Sequence, residues 1–315
     1  MKERGSTVQF IIDAAQSGKT VRDFVKSIGV SAGLCARLKQ RENGILLNGR
    51  RVTVRAVLAA GDALTLAIED AEGNDKIPPL AADIEILVEN ADFAVVNKPP
   101  FMPTHPSHGH FDDTLANALV FYYKDTHPGF RPRFINRLDR NTSGAVLVAR
   151  HALSAAKLSA AMAEGRIEKT YFAVLCGTLK GETVLKTGIR RRAESIIFRE
   201  VCAVGEGDLA ITHATPLCEK NGYTLVRLSP KTGRTHQLRV HMAHLGAPIL
   251  GDDLYGSAAP GVSRHLLHAA TLSFPCPESG ETVRVFAPIP TDMRAAVEKL
   301  LGEEVLSSVI ESCHG

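Results

Sequence analysis

Asp139 stands between two arginines in the run Arg137-Leu138-Asp139-Arg140-Asn141-Thr142-Ser143-Gly144, directly ahead of an apolar stretch from Ala145 to Ala149. A carboxylate flanked by guanidinium groups stays ionised, because nearby positive charge favours its charged form. Such a group can act as a nucleophile or a base at neutral pH. The same run also fits a turn between sheet elements, with Asp139 in a salt bridge and Thr142, Ser143 and Gly144 supplying turn chemistry.

Two further positions carry chemical potential. Tyr171, in Glu168-Lys169-Thr170-Tyr171, begins an alternating strand that sends Tyr171, Ala173 and Leu175 to one face and Phe172, Val174 and Cys176 to the other. An aromatic ring at a strand start can stack on a nucleobase or can simply cover the core. Arg234, in Lys231-Thr232-Gly233-Arg234-Thr235-His236, sits just outside a helix N-terminus. There it can pair with a carboxylate or phosphate, or close a structural salt bridge. His236, His241 and His244 do not share a helical face, since residues five apart lie about 140° around the axis. His105, His108 and His110 lack a Cys or acid at metal spacing until Asp112 and Asp113. No metal site is expected from either group. The acids of Gly251-Asp252-Asp253-Leu254-Tyr255-Gly256 fit a glycine-bounded turn.

The elements that must position these residues fall into two units. The 315 residues are 44% hydrophobic and 23% charged, enough to bury a core and make about two domains. Six scattered cysteines suit a reducing cytoplasm better than a disulfide framework, and no apolar run approaches the roughly 18 residues of a membrane span. Net charge is only +3, so attraction for a polyanion must come from local placement. Thr20-Val21-Arg22-Asp23 resembles a capping box that opens a helix through Ser27, ended by Gly29. A second helix from Ser31 buries Leu34, Cys35 and Leu38 and presents Arg37, Lys39 and Arg41 as a basic face. Ile45–Leu47, the Asn48-Gly49 turn and Val52–Val54 form an expected hairpin, and Gly61-Asp62 introduces another strand.

Residues 1–70 are thus one small unit, residues 71–82 a Gly- and Pro-containing linker, 83–305 a larger body and 306–315 a tail. In the body, strands are expected at Asp83–Val88, Phe93–Val96, Ala145–Ala149, Tyr171–Cys176, Thr224–Leu228 and Val283–Phe286. Helices are expected at Leu115–Tyr123, Ala152–Glu164 and His236–Leu245. Interspersed strands, hairpins and few helices indicate an α+β fold on a mixed sheet rather than repeated βαβ crossovers.

Taken in order, RLDRNTSG (137–144), EKTYFAVLCG (168–177), TGRTHQLRVHMAHLGAPILGDDLYG (232–256) and LHAATLSF (267–274) resemble the successive motifs of the RluA family of pseudouridine synthases. The loop NKPPFMPTHPSHGH (97–110) resembles that family's entry segment, so the likeness spans most of residues 83–290. The first unit resembles an S4 RNA-binding domain through its two short helices, ILLNG, and the Gly-Asp before its last strand. This resemblance implies a largely antiparallel sheet, Asp139 as the catalytic aspartate, Tyr171 as the ring against the target base, and Arg234 as the aspartate's partner. Arg137, Arg140 and Leu238 beside them, with Arg37, Lys39 and Arg41 on the basic face, are the implied RNA contacts. Asn136 departs from the family, which commonly has His there.

The implied reaction isomerises uridine: the N1–C1′ bond breaks, uracil turns, and C5 joins C1′. No redox change or external group is involved, so no cofactor is expected. Uracil leaves as a delocalised anion, so the second carboxylate of a glycosidase is unnecessary. The target base must leave its stack to be reached. Large-subunit ribosomal RNA is the expected substrate and transfer RNA the alternative, with no obligatory protein partner and no membrane. A non-catalytic RNA-binding or ribosome-assembly protein and a hydrolytic nucleosidase are the competing classes.

Overall fold

The computed structural model describes residues 7–68, 77–107, 109–256 and 259–306. Part of the expected linker (71–76), His108, and all but one residue of the expected tail (307–315) lie outside the described residues.

The first unit comprises β1 (Val8–Ile11), α1 (Val21–Ser27), α2 (Ala32–Gln40), β2 (Ile45–Leu47), β3 (Arg50–Arg51) and β4 (Ala63–Leu66). Its antiparallel sheet has the order β1-β4-β2-β3. The Thr20 hydroxyl accepts from Asp23 N at 3.2 Å and donates to the Asp23 carboxylate at 2.6 Å, while Ser31 caps α2 by accepting from Leu34 N. Asn48 and Gly49 both have positive φ, as a two-residue hairpin turn requires. Phe24, Val25, Leu34 and Leu38 pack on Ile45, Leu64 and Leu66.

The strand expected over Val52–Val54 is absent. There the backbone serves α1 instead: the Val54 and Ala56 carbonyls accept from Arg22 N and Val21 N, groups a helix start leaves unpaired. The unexpected β1 supplies the outer strand against β4.

The body runs β5 (Glu85–Glu89), β6 (Phe93–Lys98), α3 (Leu115–Tyr122), β7 (Arg133–Phe134), β8 (Ser143–Ala149), α4 (Ala152–Ala163), β9 (Glu168–Cys176), β10 (Thr183–Arg191) and β11 (Arg199–Cys202). It continues with β12 (Asp208–Lys220), β13 (Tyr223–Pro230), α5 (Gln237–His244), β14 (Leu267–Pro275), β15 (Thr282–Phe286) and α6 (Thr291–Leu301). One sheet has the order β11-β10-β12-β13-β9-β14-β8-β6-β5, with β15 beside β14 and β7 beside β8. Its pairings are antiparallel except where β14 meets β8. The architecture is the expected α+β one, with a mixed, largely antiparallel sheet.

Strand alternation sorts the core. Tyr171, Ala173 and Leu175 face α3 and α5, while Phe172 and Val174 face α6. Leu158 and Ala161 of α4 pack on the β6–β8 portion, and Leu153 at its start joins the core of the first unit.

The parallel contact pairs His268 with Ser143 and Ala269 with Gly144 at the mouth of β8. Gly144 is therefore a strand residue rather than a turn residue. Its φ is +111°, and an added Cβ would lie 2.2 Å from the Ala269 carbonyl oxygen. Gly144→Ala should lower the unfolding free energy by about 3 kcal/mol or more, combining backbone strain with a backbone clash. A urea midpoint unchanged from wild type would contradict this close approach.

Candidate functional site

Asp139 occupies the tight loop between β7 and β8, and the loop is held from behind by buried side chains. Thr104 donates to the Leu138 carbonyl at 2.8 Å and accepts from Leu138 N at 3.2 Å. Lys98, fully buried, donates to the carbonyls of Pro99, Met102 and Arg140. Burial first, then the charge of Arg264, pulls the Lys98 pKa down to about 7. Arg264 donates to the Asn141 carbonyl at 3.0 Å and forms a two-pronged pair with Asp292, at 2.6 and 3.0 Å. Thr142 meets His265 Nε2 at 2.9 Å, and Ser143 meets His268 Nδ1 at 3.0 Å. Asn136 binds the β8 backbone through Ala145 O and Leu147 N, which gives this unusual position a structural task.

The loop opens onto a cavity of about 400 Å³ lined by Asp139, Tyr171, Arg234, His236, Leu238 and Arg239 among others. Thus β7–β8, β9 and the β13–α5 turn each bring one expected residue to a single cleft. Arg137 lines it and donates to Thr235 at 3.0 Å. Arg140 does not line it; its guanidinium turns to the Phe101 carbonyl. Arg37, Lys39 and Arg41 are also away from it, on α2 and its end. Arg37 and Lys39 are exposed, whereas Arg41 donates to the Ala67 carbonyl at 3.0 Å.

The expected ion pair needs correction. Arg234 Nε donates to the Leu209 carbonyl at 3.0 Å, and the guanidinium that approaches Asp139 belongs to Arg239, at 3.5 Å from Oδ2. The reason is local. Gln237 accepts from Arg234 N and Thr232, and donates to Ile211 O and Thr212, so the turn is pinned to β12 with Arg234 outermost. One helical turn on, Arg239 points inward. Buried Asp252 anchors it through two contacts of 2.7 Å and also accepts from Leu254 N and Tyr255 N.

Burial opposes the charge on both partners, yet their mutual bonds win: the Arg239 pKa is raised and that of Asp252 lowered. The sequence hint for Arg239 was its place on the inner stripe beside Leu238 and Met242, where a charge requires a partner. Gln237 and Lys98 gave no comparable signal.

Electrostatically, the cleft sets one carboxylate against Arg137, Lys169, Lys231, Arg234 and Arg239. Burial lowers the Lys169 pKa. Tyr171 is buried, and burial first and then the Asp139 charge raise its pKa well above the ordinary range, so its hydroxyl keeps its proton at neutral pH. Asp252, Asp253 and His265 bring potential metal-ligand atoms within 4.8 Å of one another, and Arg239 pairs with both carboxylates there, at 2.7 Å from Asp252 and 3.3 Å from Asp253. His241 commits both ring nitrogens to the hydroxyls of Thr187 and Thr212. Among the described residues, no helix is long and apolar enough to cross a membrane.

Residues 92–244 match a family model described as RNA pseudouridylate synthase. The chain is 35% identical to YjbO of Bacillus subtilis (strain 168), an uncharacterised RNA pseudouridine synthase, over 89% of this chain and 98% of that protein. It is 32% identical to ribosomal large subunit pseudouridine synthase D of Vibrio parahaemolyticus, over 84% of this chain and 86% of that one. The structure of human RNA pseudouridylate synthase domain containing 1 superposes with a TM-score of 0.60 at 27% identity, covering 76% of this chain and 97% of that one.

Arg239→Ala would strand buried Asp252 and should cost about 3–5 kcal/mol of stability, whereas Arg234→Ala, at an exposed position, should cost less than about 1 kcal/mol. Equal losses in chemical denaturation would contradict this division of roles. A second expectation concerns pH. Burial holds His265 at about 3 and His241 and His268 at about 4, all below the ordinary 6.5. The unfolded chain therefore binds more protons than the folded one below pH 6.5. Stability is full above that pH and declines toward pH 4, each histidine contributing up to about 1.4 kcal/mol per pH unit. A urea midpoint that stays flat from pH 7.5 to pH 5 would show that these histidines do not stay neutral.

Proposed function

Because the chain belongs to the RluA family of RNA pseudouridine synthases, we propose that Asp139 opens the N1–C1′ bond of a uridine whose base lies against Tyr171. The protein is an RNA-modifying isomerase. The observation that carries the catalytic assignment is the cleft's single carboxylate, surrounded by five cations and set beside an aromatic ring. Cations at the wall suit RNA phosphates and the developing uracil anion. The side-chain approaches to Asp139 from Arg239 and His236 both fall on Oδ2, which supports chemistry at Oδ1.

Oδ1 can attack C1′ to give a glycosyl ester, or remove a C2′ proton to give a glycal. In the first route C5 attack on C1′ expels the carboxylate; in the second the Asp139 carboxylic acid returns its proton to C2′ as C5 bonds to C1′. In both, the C5 proton passes by way of solvent to the N1 freed from C1′, so no cofactor is called for. The protonated state of the Tyr171 hydroxyl supports a platform role for its ring over a base role for its oxygen.

The first unit acts as an S4-like RNA-binding domain over residues 1–70, joined through 71–82 to a catalytic domain over 83–305, with 306–315 a tail. Exposed Arg37 and Lys39, opposite buried Leu34 and Leu38, support an RNA-facing surface on α2. Large-subunit ribosomal RNA in the cytoplasm is the preferred substrate, since several relatives carry ribosomal large subunit in their names.

The test is to express wild type and Asp139→Asn in cells lacking the gene and to map pseudouridine across total RNA. Wild type should restore a large-subunit site and Asp139→Asn should not, while the purified variant should bind that RNA within about threefold of wild type. Turnover by Asp139→Asn at the wild-type rate would overturn the mechanism. Restoration in transfer RNA alone would overturn the substrate assignment, and release of free uracil would replace isomerisation by hydrolysis.

A further inference from the structure

His236 takes no part in the steps above, yet among the described residues lining the cleft it is the non-glycine residue with positive φ. It precedes α5 with φ 57° and ψ 16°, and its side chain makes no capping bond to the helix. A residue with a side chain enters this left-handed region at a cost of about 1–3 kcal/mol, and stays there only where its surroundings require it. The Gln237 bonds to β12 are one such requirement. The result is to aim the imidazole along a line: Nδ1 lies 2.9 Å from the Tyr255 hydroxyl, and Nε2 lies 3.9 Å from Asp139 Oδ2.

Proton counting along this line selects one tautomer. Arg199 N, at the start of β11, donates to the Tyr255 oxygen at 2.8 Å. A phenol has one proton, and with its oxygen already accepting from Arg199 N, Tyr255 directs that proton to His236 Nδ1. A neutral imidazole that accepts at Nδ1 carries its own proton at Nε2, the nitrogen facing Asp139.

Burial is the main influence that keeps the ring neutral. Burial, Arg239 and Arg199 lower the His236 pKa, and they outweigh the opposing pull of Asp139 and Asp252. Tyr255 is itself fixed by packing. Phe198 and His236 meet its ring edge to face at 5.8 and 5.7 Å, and the Arg239 guanidinium lies 5.3 Å from its centroid.

We propose that His236 is a positioning residue for the isomerisation: held by Tyr255 in its Nε2–H form, it points that N–H at Asp139 Oδ2 from 3.9 Å, an electrostatic approach longer than a hydrogen bond, beside the Arg239 contact at 3.5 Å, and leaves Oδ1 toward the ribose. This assignment rests on Asp139 being the catalytic carboxylate. The arrangement resembles a triad in which a histidine is oriented by a third group, with the direction of service reversed. The hydroxyl sets the imidazole, and the imidazole sets the carboxylate. No proton needs to be transferred along the line during turnover.

Tyr255→Phe removes the hydroxyl and keeps the ring. It should lower kcat about tenfold and leave KM for RNA within about twofold, since the interaction acts on the reacting group rather than on RNA binding. Side-chain ¹⁵N spectra should show wild-type His236 protonated at Nε2 alone and a mixture of tautomers in Tyr255→Phe. His236→Gln supplies an amide N–H near the position of Nε2 and cannot tautomerise. In that background Tyr255→Phe should have no further effect beyond about twofold.

A kcat unchanged by Tyr255→Phe, a rise confined to KM, or equal losses in both backgrounds would each overturn the proposal. Asp139→Asn run in parallel separates the two levels. If it remains active the catalytic assignment fails; if it is inactive while both other variants work normally, only the role of His236 fails.

Discussion

The buried pair between Arg239 and Asp252 is the interaction on which the cleft depends. Asp252 is wholly inaccessible, and an unpaired carboxylate there would cost several kcal/mol. Its lone pairs are taken by two guanidinium nitrogens and by the backbone N–H groups of Leu254 and Tyr255. One carboxylate thereby fixes α5 to the 250–256 loop, places Tyr255 beside His236, and turns the remaining Arg239 nitrogen toward Asp139. Charge alone would not do this. A lysine offers a point charge where a planar fork must serve three carboxylates, Asp139, Asp252 and Asp253, in different directions.

A second pair stabilises the opposite wall. Arg264 is buried and spends its guanidinium on Asp292 and on the carbonyls of Asn141, His265 and Leu267, while Lys98 gathers three more carbonyls. Arg264 and Lys98, behind the Asp139 loop, thus orient its peptide dipoles without any carboxylate from the loop itself. Asp139 is left free of structural duty. An ionised group held by donors that do not move during reaction loses little energy to reorganisation, which is the condition for electrostatic preorganisation.

Much of the chemistry was legible because it was written in local runs. Asp139, Tyr171 and Leu238 reach one cleft as their motifs implied, and the period of two in β9 placed Tyr171 on the inner face. Capping residues marked α1 and α2, and paired positive-φ residues marked the β2–β3 turn. The misses have a common physical cause: they depend on partners distant in sequence. Val52–Val54 has strand propensity, yet its carbonyls are claimed by the start of α1. β10 and β12 carry Lys186, Arg190, Thr212 and His213 among their apolar residues, which blurs the alternation in their sequence. Arg234 and Arg239 share one motif, and only the Gln237 bonds to β12 decide which of them faces the carboxylate.

The weak net charge of +3 is informative in this light. Affinity for a polyanion does not require a strongly basic protein when five cations converge on one cleft and Arg37 and Lys39 lie on α2. A uniformly basic surface would hold RNA in many registers. Concentrating cations on the wall around Asp139 directs much of that attraction to the cleft. Placement of charge, more than its amount, is what fits this cleft to isomerisation.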